Sequence, residues 1–106
     1  MKKILFLSLI LLTNQAFAQE KEYITKIKNH IFEPFVIEVP ANQKFTLNIE
    51  SLDETLEEFE SNDLKKEKLI GAGKTIIMPI QALKPGEYNF FGDFHQKTAH
   101  GKIVAK

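Results

Sequence analysis

Five residues are the candidates for holding a metal ion: His30, Glu57, Glu58, Asp93 and His95. Imidazole and carboxylate together suit borderline to hard cations such as Cu(II), Zn(II), Fe or Mn, with Cu(II) favoured on intrinsic affinity among divalent ions. Cysteine is absent, which excludes thiolate ligation, iron–sulfur clusters, disulfides and a Cys nucleophile. The other histidine, His100, falls outside the pattern and is expected at the surface. Met78 sits in a strand-like run and is expected to pack in the core. Each candidate also has an ordinary role: His95 can pair with Asp93, His30 can hydrogen-bond ahead of a strand, and Glu57-Glu58 can be a solvated acidic loop.

Catalysis has little to work with. Beyond the leader described below, Ser51 and Ser61 are the only serines, and neither stands in a nucleophile elbow. No glycine loop is built to cradle phosphate. The pair Glu57 and Glu58 has the chemistry for acid–base work, but a small sandwich offers little cleft for a substrate. The reading is therefore a non-enzymatic protein without an organic cofactor.

These residues must be brought together by short strands. Tyr23–Ile27, rich in β-branched and aromatic residues, reads as the first strand. Phe35, Ile37 and Val39 alternate with polar neighbours, as do Phe45, Leu47 and Ile49, and the two runs flank a turn at Pro40-Ala41-Asn42-Gln43. Asn42 is one of the few non-glycine residues that accepts a left-handed backbone. Lys74–Ile80 with Pro79 near an edge, Tyr88–Phe91 after the turn Lys84-Pro85-Gly86-Glu87, and Lys102–Ala105 complete the strands. Leu64–Ile70 fits a strand or a helical turn equally. With no long helix, the chain reads as an all-β sandwich or barrel. If connections are antiparallel, the segments Asn29–Pro34, Ser51–Glu58 and Gly92–His95 share one end of the sandwich, so His30, Glu57, Glu58, Asp93 and His95 meet at one pole.

Length and composition bound the rest. At 106 residues there is room for one domain. Acids and bases balance at 14 each and all the bases are Lys, which gives no phosphate-binding surface and no nucleic-acid role. Residues 1–18 combine Lys2-Lys3, an apolar run from Ile4 to Leu12 and small residues at Ala16-Phe17-Ala18, the pattern of a cleavable secretory signal. The run is short of the roughly 20 residues a membrane span needs, so residues 19–106 are expected as one domain in a periplasmic compartment, not embedded in a membrane. Phe32, Phe35, Phe45, Phe59, Phe90, Phe91 and Phe94 supply its apolar bulk.

Phe32-Glu33-Pro34, Val39-Pro40-Ala41-Asn42, Leu52-Asp53, Leu83-Lys84-Pro85-Gly86-Glu87-Tyr88-Asn89-Phe90, and His95 with Gly101 occur in an order and spacing that resembles the small bacterial periplasmic cupredoxins. The resemblance implies a Greek-key β-sandwich. Matched residue by residue, Glu57 takes the place of the first His ligand of the blue-copper members, Gly92 that of the Cys, His95 that of the second His, and Thr98 that of the Met. One ligand in four survives, so blue-copper electron transfer is not implied.

Glu57-Glu58-Phe59-Glu60-Ser61, Leu64 with Glu67-Lys68, and Phe91-Gly92-Asp93-Phe94-His95 with Thr98-Ala99 resemble a narrower, Cys-lacking group associated with bacterial high-affinity iron permeases; His30 also matches. This implies periplasmic handling of one copper or iron ion and an inner-membrane iron permease system as partner, with a homodimer as a further expectation. The alternative is a metal-free interaction module that docks on the permease or another periplasmic protein.

Overall fold

The computed structural model of the protein describes residues 20–106; the expected signal segment, residues 1–18, lies outside the described residues. Nine strands and one short 3-10 turn run in the order β1 (Lys21–Lys28), β2 (Ile31–Glu33), β3 (Val36–Val39), β4 (Phe45–Ser51), β5 (Glu57–Ser61), β6 (Lys66–Ile70), β7 (Thr75–Ile80), β8 (Gly86–Gly92), the turn Asp93–His95, and β9 (His100–Ala105). They form two sheets, ordered β2-β1-β4-β7 and β3-β9-β8-β5-β6, the all-β sandwich expected. Among the described residues no helix is long and apolar enough to cross a membrane.

Side-chain alternation decides which residues fill the space between the sheets. In β4, Phe45, Leu47, Ile49 and Ser51 are buried while Thr46, Asn48 and Glu50 are half-buried. In β5, Glu57, Phe59 and Ser61 take the inward positions. Phe32, Phe59 and Phe90 make the aromatic centre, with ring centroids 5.1–6.4 Å apart, and Met78 packs in the same core. Of the seven phenylalanines, four are buried; Phe35 and Phe94 are exposed and Phe91 is half-buried. The aromatic load thus rests on fewer rings than composition suggested.

Two local readings are corrected and one open alternative is settled. The turn at Pro40–Gln43 does not close a hairpin: β3 pairs with β9 and β4 with β1 and β7, so the turn crosses between sheets. Asn42 does take φ 62° there, and its N–H donates to the Leu83 carbonyl at 2.7 Å. Leu64–Ile70 resolves as a turn followed by β6, an edge strand whose Lys66, Glu67 and Lys68 discourage further strand addition. The stretch Asn29–Pro34 is not all loop, because β2 folds back on β1 with Lys28 opposite Ile31.

Parallel β1 and β4 end together at one pole, where Leu52 N–H donates to the Ile27 carbonyl at 2.8 Å. β5 starts there and β8 arrives there, antiparallel to it. The other end of the chain is held by a close approach: Phe90 lies opposite Gly101, and a Cβ at Gly101 would stand 2.4 Å from the Phe35 carbonyl oxygen and 2.7 Å from Phe90 Cζ. Backbone and a core ring must both shift to admit it. Gly101→Ala is therefore expected to lose about 1–3 kcal/mol by overpacking, read as a lower urea midpoint at unchanged slope; an unchanged midpoint would contradict this packing.

Candidate metal centre

His30 and Asn29 form the two-residue turn between β1 and β2. Both have positive φ, 60° and 52°, as a type I′ hairpin turn requires. For His this backbone is uncommon, and Asp53 supplies the compensation: its carboxylate accepts the N–H of Asn29 at 2.6 Å and of His30 at 3.0 Å. Asp53 is itself fixed in the β4–β5 loop, where its N–H donates to Ser51 Oγ at 3.2 Å and its carbonyl accepts Gly73 N–H at 3.2 Å. Burial pushes the Asp53 carboxyl upward, but the Glu57 side chain, the two turn amides and the nearby His30 ring outweigh it and hold the pKa below the ordinary value.

Glu57 opens β5 on its inward face and is 0% exposed. One oxygen, Oε2, lies 2.6 Å from His30 Nδ1. The other, Oε1, lies 3.4 Å from His95 Nδ1, yet neither Oε1 nor His95 Nδ1 makes a hydrogen bond, although both atoms are buried. The two imidazoles stack, with centroids 3.4 Å apart and planes 11° from parallel. Burial and the Asp53 carboxyl raise the Glu57 pKa, against the opposite pull of His30 and His95. Buried polar atoms are ordinarily satisfied, so two facing orphans mark the place where the pole is incomplete.

The sequence grouped five residues; the structure divides them. His30, Glu57 and His95 have ligand atoms within 4.8 Å of one another. Glu58 and Asp93 do not join that set. Successive residues of a strand point to opposite faces, so Glu58 leaves β5 on the outer face of its sheet, where Glu58, Glu60 and Asp93 form a second group with ligand atoms within 4.8 Å. Glu67 completes the acidic surface from β6, directly opposite Glu60. The two carboxylates face each other as like charges.

Glu58 is 7% exposed, and among the described residues no amide, hydroxyl or ammonium group donates to it. The Glu67 carboxyl beside it, burial, and Asp93 together push its pKa to about 7. Burial, Glu67 and Asp93 raise Glu60 as well. Asp93 alone has a donor, Gln96 Nε2 at 2.9 Å.

Asp53 is the functional residue that sequence reasoning passed over, although Leu52-Asp53 was noted as a landmark. The signal available was Asn29-His30 between two alternating runs, a two-residue hairpin whose exposed amides need an acceptor. His100 is exposed, as expected. Gly92, at the position matched to the blue-copper Cys, leaves no room for a side chain: a Cβ would stand 2.8 Å from the Ala99 Cβ.

The family model described as cupredoxin-like domain matches residues 3–105. An uncharacterized protein of Rickettsia prowazekii is 49% identical over 78 residues, 74% of this chain and 62% of that protein; the chain thus spans about three fifths of that relative's length. Among solved structures, the metal-binding domain of the Cu(I)-exporting P-type ATPase CopA of Streptococcus pneumoniae with Cu(I) superposes with a TM-score of 0.71 at 10% identity, over 86% of this chain and 91% of that one. Auracyanin A, a "blue" copper protein of Chloroflexus aurantiacus, gives 0.68 at 13% identity over 80% and 98%. At such identities these two show the shared fold alone.

The acidic outer face generates a stability prediction. A carboxyl whose pKa is raised in the folded state contributes stability that is complete below its unfolded value, 4.5, and is lost as pH rises toward about 7. Without added metal, the melting temperature should therefore fall across this interval, and Glu58→Gln should flatten the fall. A wild-type profile as flat as that of the variant would contradict the assignment.

Proposed function

The chain belongs to the cupredoxin-like domain family, and from that premise we propose that it is a periplasmic metal-handling protein that captures copper and passes it on, without blue-copper electron transfer. The observation that carries this reading is the pair of facing, unsatisfied buried atoms, Glu57 Oε1 and His95 Nδ1, beside the His30 ring. Two imidazoles and one carboxylate make a donor set for a borderline divalent ion. Copper bound there would bridge groups that now lack partners. With no thiolate and no space for a Cβ at Gly92, the copper–sulfur charge transfer of the blue proteins has no ligand in this chain.

Each residue of the pole has a task. Asp53 holds the His30 turn through two backbone amides, so one imidazole is positioned before any ion arrives. Glu57 supplies negative charge from a site closed to solvent, where it acts at low dielectric. His95 stands on a short turn beside solvent, with its ring 35% exposed. Because an imidazole lone pair lies in the ring plane, one ion cannot lie in both planes of a parallel stack 3.4 Å apart; the rings must part to share it.

Iron has a second place to bind. The outer group Glu58, Glu60 and Asp93 with Glu67 offers only oxygen, the donor of hard cations. That favours reading the copper and iron expectations as two donor sets instead of one. Delivery to an inner-membrane iron permease, and a homodimer, extend this proposal.

A metal-free docking role is the competing reading, and one feature favours it. Ile31, Leu52, Leu56 and Phe94 are each 45–48% exposed and each adjoins a residue of the pole: His30, Asp53, Glu57 and His95. Such a ring suits contact with a partner.

Calorimetric titration separates the two. Cu(II) is expected to bind with one-to-one stoichiometry at neutral pH, to lose about 10- to 100-fold in affinity in Asp53→Ala, where a positioning group is removed, and to bind with no measurable heat in His95→Ala. Affinity should also fall as pH drops from 7 to 5, since protons compete for imidazole and carboxylate. Heat that survives His95→Ala unchanged, or no heat from the wild type, would overturn the metal reading.

A further inference from the structure

The first strand presents two unlike faces. Thr25 and Ile27 turn into the core, while Glu22, Ile24, Lys26 and Lys28 lie on the outer face of the sheet and are all exposed. Glu20, one residue ahead of β1, is exposed as well and extends the same series. Along the strand this face runs acid, acid, isoleucine, base, base, with equal steps on either side of Ile24. Among the described residues none of the four ionised side chains is in an ion pair. Glu22 has only Asn48 Nδ2 at 3.4 Å, and Lys26, level with Glu33 and Glu50 in its row, pairs with neither.

Ile24 also belongs to a row that crosses the sheet. It is level with Asn48 of β4, which is level with Ile77 of β7. Ile24 is 55% exposed, and Ile77, at 67%, is the most exposed large apolar residue among those described. One step along the strands on one side stand Glu22, Thr46 and Pro79; one step on the other side stand Lys26, Glu50 and Thr75. Apolar side chains rimmed by charge mark a contact surface, and the order of the charges identifies what covers it. A two-fold axis lying in the face along the Ile24, Asn48 and Ile77 row reverses the strand direction. It sets Ile24 and Ile77 each against its own copy, Glu22 against Lys26, Glu20 against Lys28, and the Thr46 hydroxyl against the Glu50 carboxylate. Aligned sheets cross at about 30°, which leaves the Glu22 and Lys26 pairs, next to the axis, within reach of their long side chains. An unrelated partner would need this charge order in reverse; a second copy supplies it by symmetry.

We propose that the outer face of β1, β4 and β7 is a homodimer interface, with Ile24 and Ile77 at its centre and reciprocal ion pairs of Glu22 with Lys26 and of Glu20 with Lys28 at its rim. This gives the homodimer named above its surface, and it holds whether or not the pole binds metal. Because the strands of the two copies run in opposite directions across the contact, the two poles point away from each other and both stay open. Three strands make a small contact area, which places the dimer at the weak, concentration-dependent end of protein association.

Sedimentation velocity of the purified protein, without metal and up to millimolar concentration, tests this. Wild type is expected to pass from monomer to dimer as concentration rises, and the dimer to weaken as salt screens the pairs. Lys26→Glu and Glu22→Lys each set like charges against each other twice per dimer, so each should raise the dimer Kd about tenfold or more. An equimolar mixture of these two variants should recover the dimer, because each supplies the charges that the other lacks; recovery also shows that both are folded. Ile77→Lys should abolish the dimer. A wild type that stays monomeric at millimolar concentration, a dimer that neither charge reversal weakens, or a mixture that stays monomeric would overturn the proposal. None of these results bears on Cu(II) binding at the pole, so the two readings fail separately.

Discussion

A carboxylate closed off from solvent at the end of a β-sandwich must be answered by something, and in this protein Glu57 is hydrogen-bonded by one imidazole and faced by a second, with no ammonium beside it. Burying an ionised group without a partner costs several kcal/mol. The pole is arranged around that cost: His30 comes within 2.6 Å of one oxygen, His95 within 3.4 Å of the other, and Asp53 fastens the strained turn that carries His30. The arrangement is half finished, since one oxygen of Glu57 and one nitrogen of His95 remain unpaired. A cation held between them, as proposed above, would satisfy both at once. The rest of the molecule supplies the means: parallel β1 and β4 deliver the His30 turn and the Asp53 loop to one level, and antiparallel β5 and β8 deliver Glu57 and the His95 turn to the same level.

Strand alternation is the second organising constraint, and it explains what could and could not be read from the sequence. The runs Phe45–Ile49 and Lys74–Ile80 announce their strands because buried and exposed positions alternate cleanly. The convergence of loops at one pole follows from the direction of short strands, and His30, Glu57 and His95 do meet there. The five-residue grouping divides at Glu58 and Asp93, because Glu57-Glu58 reads as loop, where neighbours can face together. Once the pair begins a strand, one residue must face in and the other out. Leu64–Ile70 was ambiguous for a related reason: an edge strand of Lys and Glu has no apolar alternation to display. Asp53 stayed hidden because its role is to hold backbone amides, and backbone conformation leaves only a faint mark on residue types, here the two-residue turn Asn29-His30.

The scaffold is shared with copper proteins of low sequence identity, and Gly92 marks where the packing of this chain bears on the ligands it can offer. The position that the sequence resemblance matches to the blue-copper Cys is packed so closely that a Cβ there would stand 2.8 Å from the Ala99 Cβ. A thiolate at this position would therefore require the pole to repack. What remains is an imidazole and carboxylate centre facing inward, an all-oxygen surface facing outward, and one strand and one turn common to both.

Pulsed electron paramagnetic resonance of the Cu(II)-loaded protein tests the central claim most directly, because it counts the imidazoles bound to copper. Coupling to two imidazole nitrogens is predicted for the wild type, falling to one in His30→Ala, with His100→Ala indistinguishable from wild type. A spectrum that keeps both couplings in His30→Ala, or loses one in His100→Ala, would contradict the assignment of the pole around Glu57 as the metal centre.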